Sequence, residues 1–119
     1  MSFDAMAAAV DWLDAYRARD VDAILQMYTE GAVIVGGCGG MKTITGPKGR
    51  RTYWVRRLAE YTASRLANIQ PAGEGALISY AVPEGVVSAV LRFNSVRRIS
   101  SHTCGYGLAL LERAGGQSR

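Results

Sequence analysis

The only histidine of the chain stands in the run Ser100-Ser101-His102-Thr103-Cys104. Imidazole exchanges protons near neutral pH without any pKa shift, so His102 is the candidate general acid/base. His102 and Cys104 are two apart, so on a strand they share a face. Joined by the distant Cys38 they make only three soft ligands. A zinc site wants paired ligands such as C-x-x-C, and no metal is assigned. A thiol becomes reactive in an electropositive setting, which His102 or Arg98 would supply. The alternative is two inert, part-buried thiols.

A second stretch invites a nucleotide reading. Gly36-Gly37-Cys38-Gly39-Gly40-Met41-Lys42-Thr43 comes close to the G-x-x-x-x-G-K-[ST] phosphate loop. The glycine that must precede the lysine is Met41. Beyond Thr43 stand Ile44-Thr45-Gly46-Pro47, which start no helix at Lys42 for an anion to sit on. The glycines instead let the chain reverse between two short strands and keep side-chain bulk away from the turn. No cofactor is assigned.

These residues belong to a chain of 119 residues, one domain over 1–119. A hydrophobic share of 49% supports one core, and no apolar run approaches a membrane span. The start, Met1-Ser2-Phe3-Asp4, lacks a basic n-region, so a cytoplasmic protein without membrane partners is expected. In that compartment Cys38 and Cys104 would be thiols, and a bridge between them requires the fold to bring them together. The net charge of +4 hides an asymmetry: residues 1–40 hold six acids against Arg17 and Arg19, and the remainder four acids against twelve bases. Five of those bases fall in residues 48–57. No nucleic-acid motif accompanies them, so they read as a solvated helix face and no nucleic-acid partner is expected.

Hydrophobic spacing predicts the elements that position these groups. Residues 4–18 form a helix with Met6, Ala9, Val10, Leu13 and Tyr16 at three- and four-residue steps. Asp20 caps a second helix through Tyr28, with Ile24, Met27 and Tyr28 on its apolar side and Gly31 as its stop. A strand at 32–35 and another at 41–45 flank the glycine run. Gly46-Pro47 opens a third helix over 48–62, with Trp54, Leu58 and Tyr61 on one side and Arg50, Arg56, Arg57 and Glu60 mostly elsewhere. Strands at 65–71, 76–82, 85–93 and 97–107 come next, separated by Gly, Pro and Asn turns. Helices first and hairpins afterwards predict an α+β fold, with the helices on one face of an antiparallel sheet. Trp12, Tyr16, Tyr28 and Trp54 take interior-facing helix positions.

The order of these pieces resembles the nuclear transport factor 2-like superfamily, and within it the SnoaL-like group. The resemblance rests on residues 19–35, RDVDAILQMYTEGAVIV, and 44–54, ITGPKGRRTYW, and covers nearly the whole chain. It implies a cone-shaped, curved sheet wrapped around three helices, a central cavity, and a homodimer formed through the sheet. Members include isomerases, dehydratases, epoxide hydrolases, cyclases and non-catalytic binding proteins. The function must therefore come from the residues of the site.

Carried over residue by residue, the resemblance removes more chemistry than it adds. The tyrosine with which ketosteroid isomerase donates to its oxyanion corresponds to Trp12, and its general base to Gly36, which takes no proton. No aspartate comes after Asp22, which also removes the carboxylate relay of the epoxide hydrolase. The dehydratase pairs its histidine with a carboxylate, and none stands by His102 in the pattern. The relatives usually carry an aliphatic residue where this chain has Arg50, which would either lie exposed after a slight rotation of the helix or reach inward and bind a carboxylate. Neighbouring first and last strands would bring Cys38 toward Cys104. The face that His102 presents depends on the Asn94-Ser95 hairpin. A two-residue turn sets Phe93 against Val96 and puts His102 with Leu91, Ala89 and Val87. A three-residue loop pairs Leu91 with Ile99 and turns His102 away.

The leading expectation is a small-molecule-binding domain for an apolar or aromatic ligand, an anionic one included. Trp12, Tyr16, Tyr28 and Trp54 would form its walls, with Cys38, Arg50, Cys104 and His102 as polar groups. A cofactor-free lyase, isomerase or cyclase using His102 is one alternative, and a dimeric interaction module is the other.

Overall fold

The computed structural model describes residues 4–36, 42–60, 62–83 and 85–105. Three helices, α1 (Ala5–Arg17), α2 (Val21–Gln26) and α3 (Pro47–Glu60), accompany six strands: β1 (Tyr28–Gly36), β2 (Lys42–Thr45), β3 (Leu66–Ala72), β4 (Gly75–Val82), β5 (Gly85–Phe93) and β6 (Ile99–Gly105). Asp4 caps α1 by accepting from the amides of Met6 and Ala7, and Asp20 caps α2 by accepting from Ala23. Pro47 takes the first position of α3, where a missing N–H is no loss. No described helix is long and apolar enough to cross a membrane.

The strands form one sheet in the order β2-β1-β6-β5-β4-β3. Its pairings are antiparallel except one: β1 and β6 run parallel. The expectation of a wholly antiparallel sheet is corrected accordingly. β1 and β6 are neighbours that no hairpin connects, so nothing forces their directions to alternate.

Two boundaries also differ from the periodicity. Residues 27–28 do not extend α2. The Met27 carbonyl accepts the Ile99 amide at 2.8 Å and Tyr28 pairs with Ile99, so sheet pairing overrides helical spacing. Gly31 accordingly lies inside β1 and stops no helix. The β5–β6 connection is not a two-residue turn. Residues 94–98 form a loop in which Asn94 Oδ1 accepts from the amides of Val96 and Arg98, and Arg97 adopts φ 67°. Phe93 then pairs with Ile99 in place of Val96. A register shift comes next, with Arg92 opposite Ser101 and Leu91 opposite His102. The longer loop and the bulge cancel, so His102 does share a face with Leu91 and Ala89. Ile99 joins that face as well.

The helices cover this face. The core gathers Trp12, Leu13 and Tyr16 from α1, Ile24 from α2, Trp54 and Leu58 from α3, and inward residues of β1, β4, β5 and β6. On the opposite face Leu77 and Val90 form a small separate cluster.

β1 leaves its partner between Tyr28 and Val33 and rejoins it two residues along β6. The carbonyls freed by this departure are taken up by Arg50, whose Nη1 donates to Ala32 O and Nη2 to Glu30 O, both at 3.0 Å.

One glycine is demanded by strand contact. A Cβ on Gly75 would stand 1.8 Å from the Leu91 carbonyl oxygen. Gly75→Ala should force β4 from β5 and lower stability by about 3 kcal/mol or more, read by urea denaturation. A loss below about 1 kcal/mol would contradict the close packing of these strands.

Candidate functional site

The site is built around a hydroxyl. Tyr28 enters from β1 and its Oη lies 2.8 Å from His102 Nδ1 on β6. The same oxygen accepts from Trp12 Nε1 on α1 and Trp54 Nε1 on α3, each at 3.3 Å. Four elements therefore meet at one atom. The rings pack by edges, with Trp12 against His102 at 5.4 Å and against Trp54 at 5.8 Å between centroids.

This geometry assigns the tautomer of His102. A hydroxyl oxygen accepts two hydrogen bonds, and the two indoles use both places. Its own proton is left to donate to Nδ1, which must be the acceptor. Burial, reinforced by the charge of Arg57, lowers the imidazole pKa from 6.5 to about 3, so the ring is neutral at neutral pH. The single ring proton is therefore on Nε2. That atom is buried and has no hydrogen-bond partner among the described residues. Burial also pushes the Tyr28 phenol up, so it remains a hydroxyl.

Beside this network lies a buried cation. Arg57 is 5% exposed. Its Nε donates to Tyr16 Oη at 3.0 Å and its Nη2 to Tyr80 Oη at 3.3 Å. Its guanidinium carbon stands 5.9 Å from the ring centroids of both Tyr16 and Tyr53. Burial pushes the Tyr80 phenol well up despite this cation, so the hydroxyl does not offset the charge.

The residues expected from sequence divide into three groups. Trp12, Tyr16, Tyr28, Trp54, His102 and Cys104 come together in the interior. Trp12, Tyr16, Trp54 and His102 are each 0% exposed, so they pack on one another and no water-sized space borders them. Cys104 is buried on the strand face of His102. Arg50 is also buried, but the two hydrogen bonds of its guanidinium go to the backbone of β1 and not to the aromatic cluster. Cys38 lies outside the described residues.

Arg57, Tyr53 and Tyr80 join the site without having been expected there. A signal for Arg57 exists: it stands three positions after Trp54 and seven after Arg50, so helical spacing sets it on the inward face. Its charge makes it read as solvated. Every described aspartate and glutamate is exposed, so none of them offers an interior general base. A groove between Asp4, Met6, Pro71 and Glu74 lies at the outer end of α1 and contains none of these groups.

The network makes two outcomes testable. Tyr28→Phe deprives both indole N–H groups and His102 Nδ1 of their partner, which should lower stability by about 3 kcal/mol. A denaturation curve showing less than about 1 kcal/mol would be incompatible with Tyr28 as the shared partner. The second outcome concerns pH. The folded pKa of His102, about 3, is below the ordinary 6.5, so the unfolded chain takes up the proton first. This contribution to stability is complete above about pH 6.5 and is lost as pH falls toward 3, by up to about 1.4 kcal/mol per pH unit. Melting curves of the chain and of His102→Gln should therefore converge on acidification. Parallel curves would show that the imidazole titrates normally.

No family model matches the chain. No curated protein matches it either. Solved structures do. A SnoaL-like protein of unknown function from Burkholderia thailandensis superposes with a TM-score of 0.74 at 22% identity, covering 87% of this chain and 94% of that one. An uncharacterised cystatin-fold protein from Novosphingobium aromaticivorans gives a TM-score of 0.71 at 21% identity, over 88% of this chain and 100% of that one. SalBIII, an epoxide hydrolase/cyclase-like enzyme of pyran ring formation in the polyether salinomycin, gives 0.67 at 20% identity, over 86% and 89%. With the α+β order, the three helices on one sheet face and these superpositions, the chain has the SnoaL-like fold of the nuclear transport factor 2-like type.

Proposed function

We propose that this chain is a small-molecule-binding domain whose ligand presents an oxygen acceptor to His102. The observation that carries this reading is the buried Nε2–H with no partner among the described residues. A buried donor without an acceptor costs about 1–3 kcal/mol, and a ligand oxygen relieves that cost. The surrounding indoles and phenols suit an apolar or aromatic body. Trp12, Tyr16, Trp54 and His102 leave none of their surface open, so the ligand enters by displacing side chains at the less tightly covered Tyr53 edge.

The enzyme alternative, a lyase, isomerase or cyclase with His102 as general acid/base, finds support in the likeness to SalBIII. It meets an obstacle in the lowered basicity of His102, which holds no transferable extra proton at neutral pH. In such an enzyme His102 serves better as a neutral donor to a developing oxyanion. The filled aromatic interior favours a further reading, a cytoplasmic homodimeric interaction module joined through the sheet. Val86, exposed on the face opposite the helices, suits such a contact.

A screen of flat aromatic compounds by thermal shift separates these readings. The chain has one histidine and two tryptophans, so the imidazole nitrogen resonance and indole fluorescence both report on the site. Binders should raise the melting temperature and move both signals, and His102→Leu should remove the nitrogen response and weaken binding about tenfold. Stabilisation that leaves both signals unmoved would place the ligand elsewhere. No stabilisation by any compound, with a dimer in solution, would favour the interaction module.

A further inference from the structure

Three donors narrow the chemistry of the ligand. His102 offers Nε2–H without an acceptor among the described residues. Tyr80 Oη already accepts from Arg57 Nη2, so its own proton is directed elsewhere. Arg57 brings a full positive charge that burial does not remove, because a guanidinium stays protonated. One ring ties the cation to the imidazole. Tyr53 lies 5.9 Å from the Arg57 guanidinium carbon and 6.3 Å from the His102 ring, centroid to centroid, the two rings at 88°. Arg57 and His102 thus flank the same phenol, and Tyr53 is only part-buried.

A guest for this set has to accept hydrogen bonds and carry negative charge. A neutral carbonyl would satisfy Nε2–H and gain little from the cation. An ammonium group would meet donors and a like charge. An oxyanion is favoured by both, since hydrogen bonds with an ionised partner are about twice as strong as neutral ones. His102 adds direction without adding charge, and Arg57 adds charge.

We infer, on the basis of the small-molecule reading, that the ligand is an organic acid with a flat conjugated body. Its oxyanion accepts from His102 Nε2–H in the field of Arg57, and its body lies against the Tyr53 ring.

The test compares 2-naphthoate with its neutral analogue 2-naphthamide and with 2-naphthylmethylammonium, on the full chain labelled with ¹⁵N at histidine. The acid should bind at least about tenfold more tightly than the amide and shift the Nε2 resonance, and the ammonium compound should not bind. Arg57→Gln should bring acid and amide to near parity. An amide that binds as tightly as the acid, with the same Nε2 shift, overturns the anion assignment and leaves the small-molecule reading standing. If none of the three moves Nε2 or raises the melting temperature, both are overturned. Should Arg57→Gln fail to fold, the acid-to-amide ratio of the unaltered chain decides alone.

Discussion

The interior is organised by a shortage of acceptors. Two indoles, an imidazole and a guanidinium enter a space where every described carboxylate stays outside. Tyr28 meets most of this demand with one oxygen, receiving Trp12 and Trp54 and passing its proton to His102. Buried polar networks stabilise most when each member is satisfied, and His102 Nε2 has no partner among the described residues. The tautomer of His102, its neutrality and its open donor all descend from that arrangement. So does the assembly of the fold, because α1, α3, β1 and β6 each send one side chain to the same point.

Arg50 and Arg57 illustrate two uses of one residue type seven positions apart on a helix. Arg50 directs its fork at backbone carbonyls where β1 departs from β6. Arg57 directs its fork at phenol oxygens and its flat face at tyrosine rings. A guanidinium suits both tasks because it is planar, weakly hydrated and offers five donors. The first use stabilises an irregular strand, and the second keeps positive charge inside the protein.

Most of the fold is legible in the sequence because it depends on local pattern. The Gly, Pro and Asn turns that bound β4 and β5, the caps at Asp4 and Asp20, and the Pro47 start of α3 each declare themselves within a few residues. The direction of β1 against β6 is not legible, since alternation records which face a residue takes and not which way its neighbour runs. The face of His102 is readable only through parity: a longer loop and a bulge compensate, and either alone would reverse it. Spacing finds the aromatic walls, although Tyr28 reaches the interior from a strand and not a helix. Arg57 escapes notice because its charge outweighs its position. Its burial depends on Tyr16, Tyr53 and Tyr80, which come from three parts of the chain.

The parallel union of β1 with β6 also governs the order in which the molecule is made. Tyr28 finds its histidine 74 residues later. β1 can pair with β2 as soon as residue 45 is made, and β3, β4 and β5 can pair with one another, but the other edge of β1 waits for β6. Contacts of such separation delay closure, because a long loop must be gathered before they contribute. Nascent chains that stop short of residue 99 lack the strand that joins the two halves of the sheet, so this interior closes only once β6 has been made.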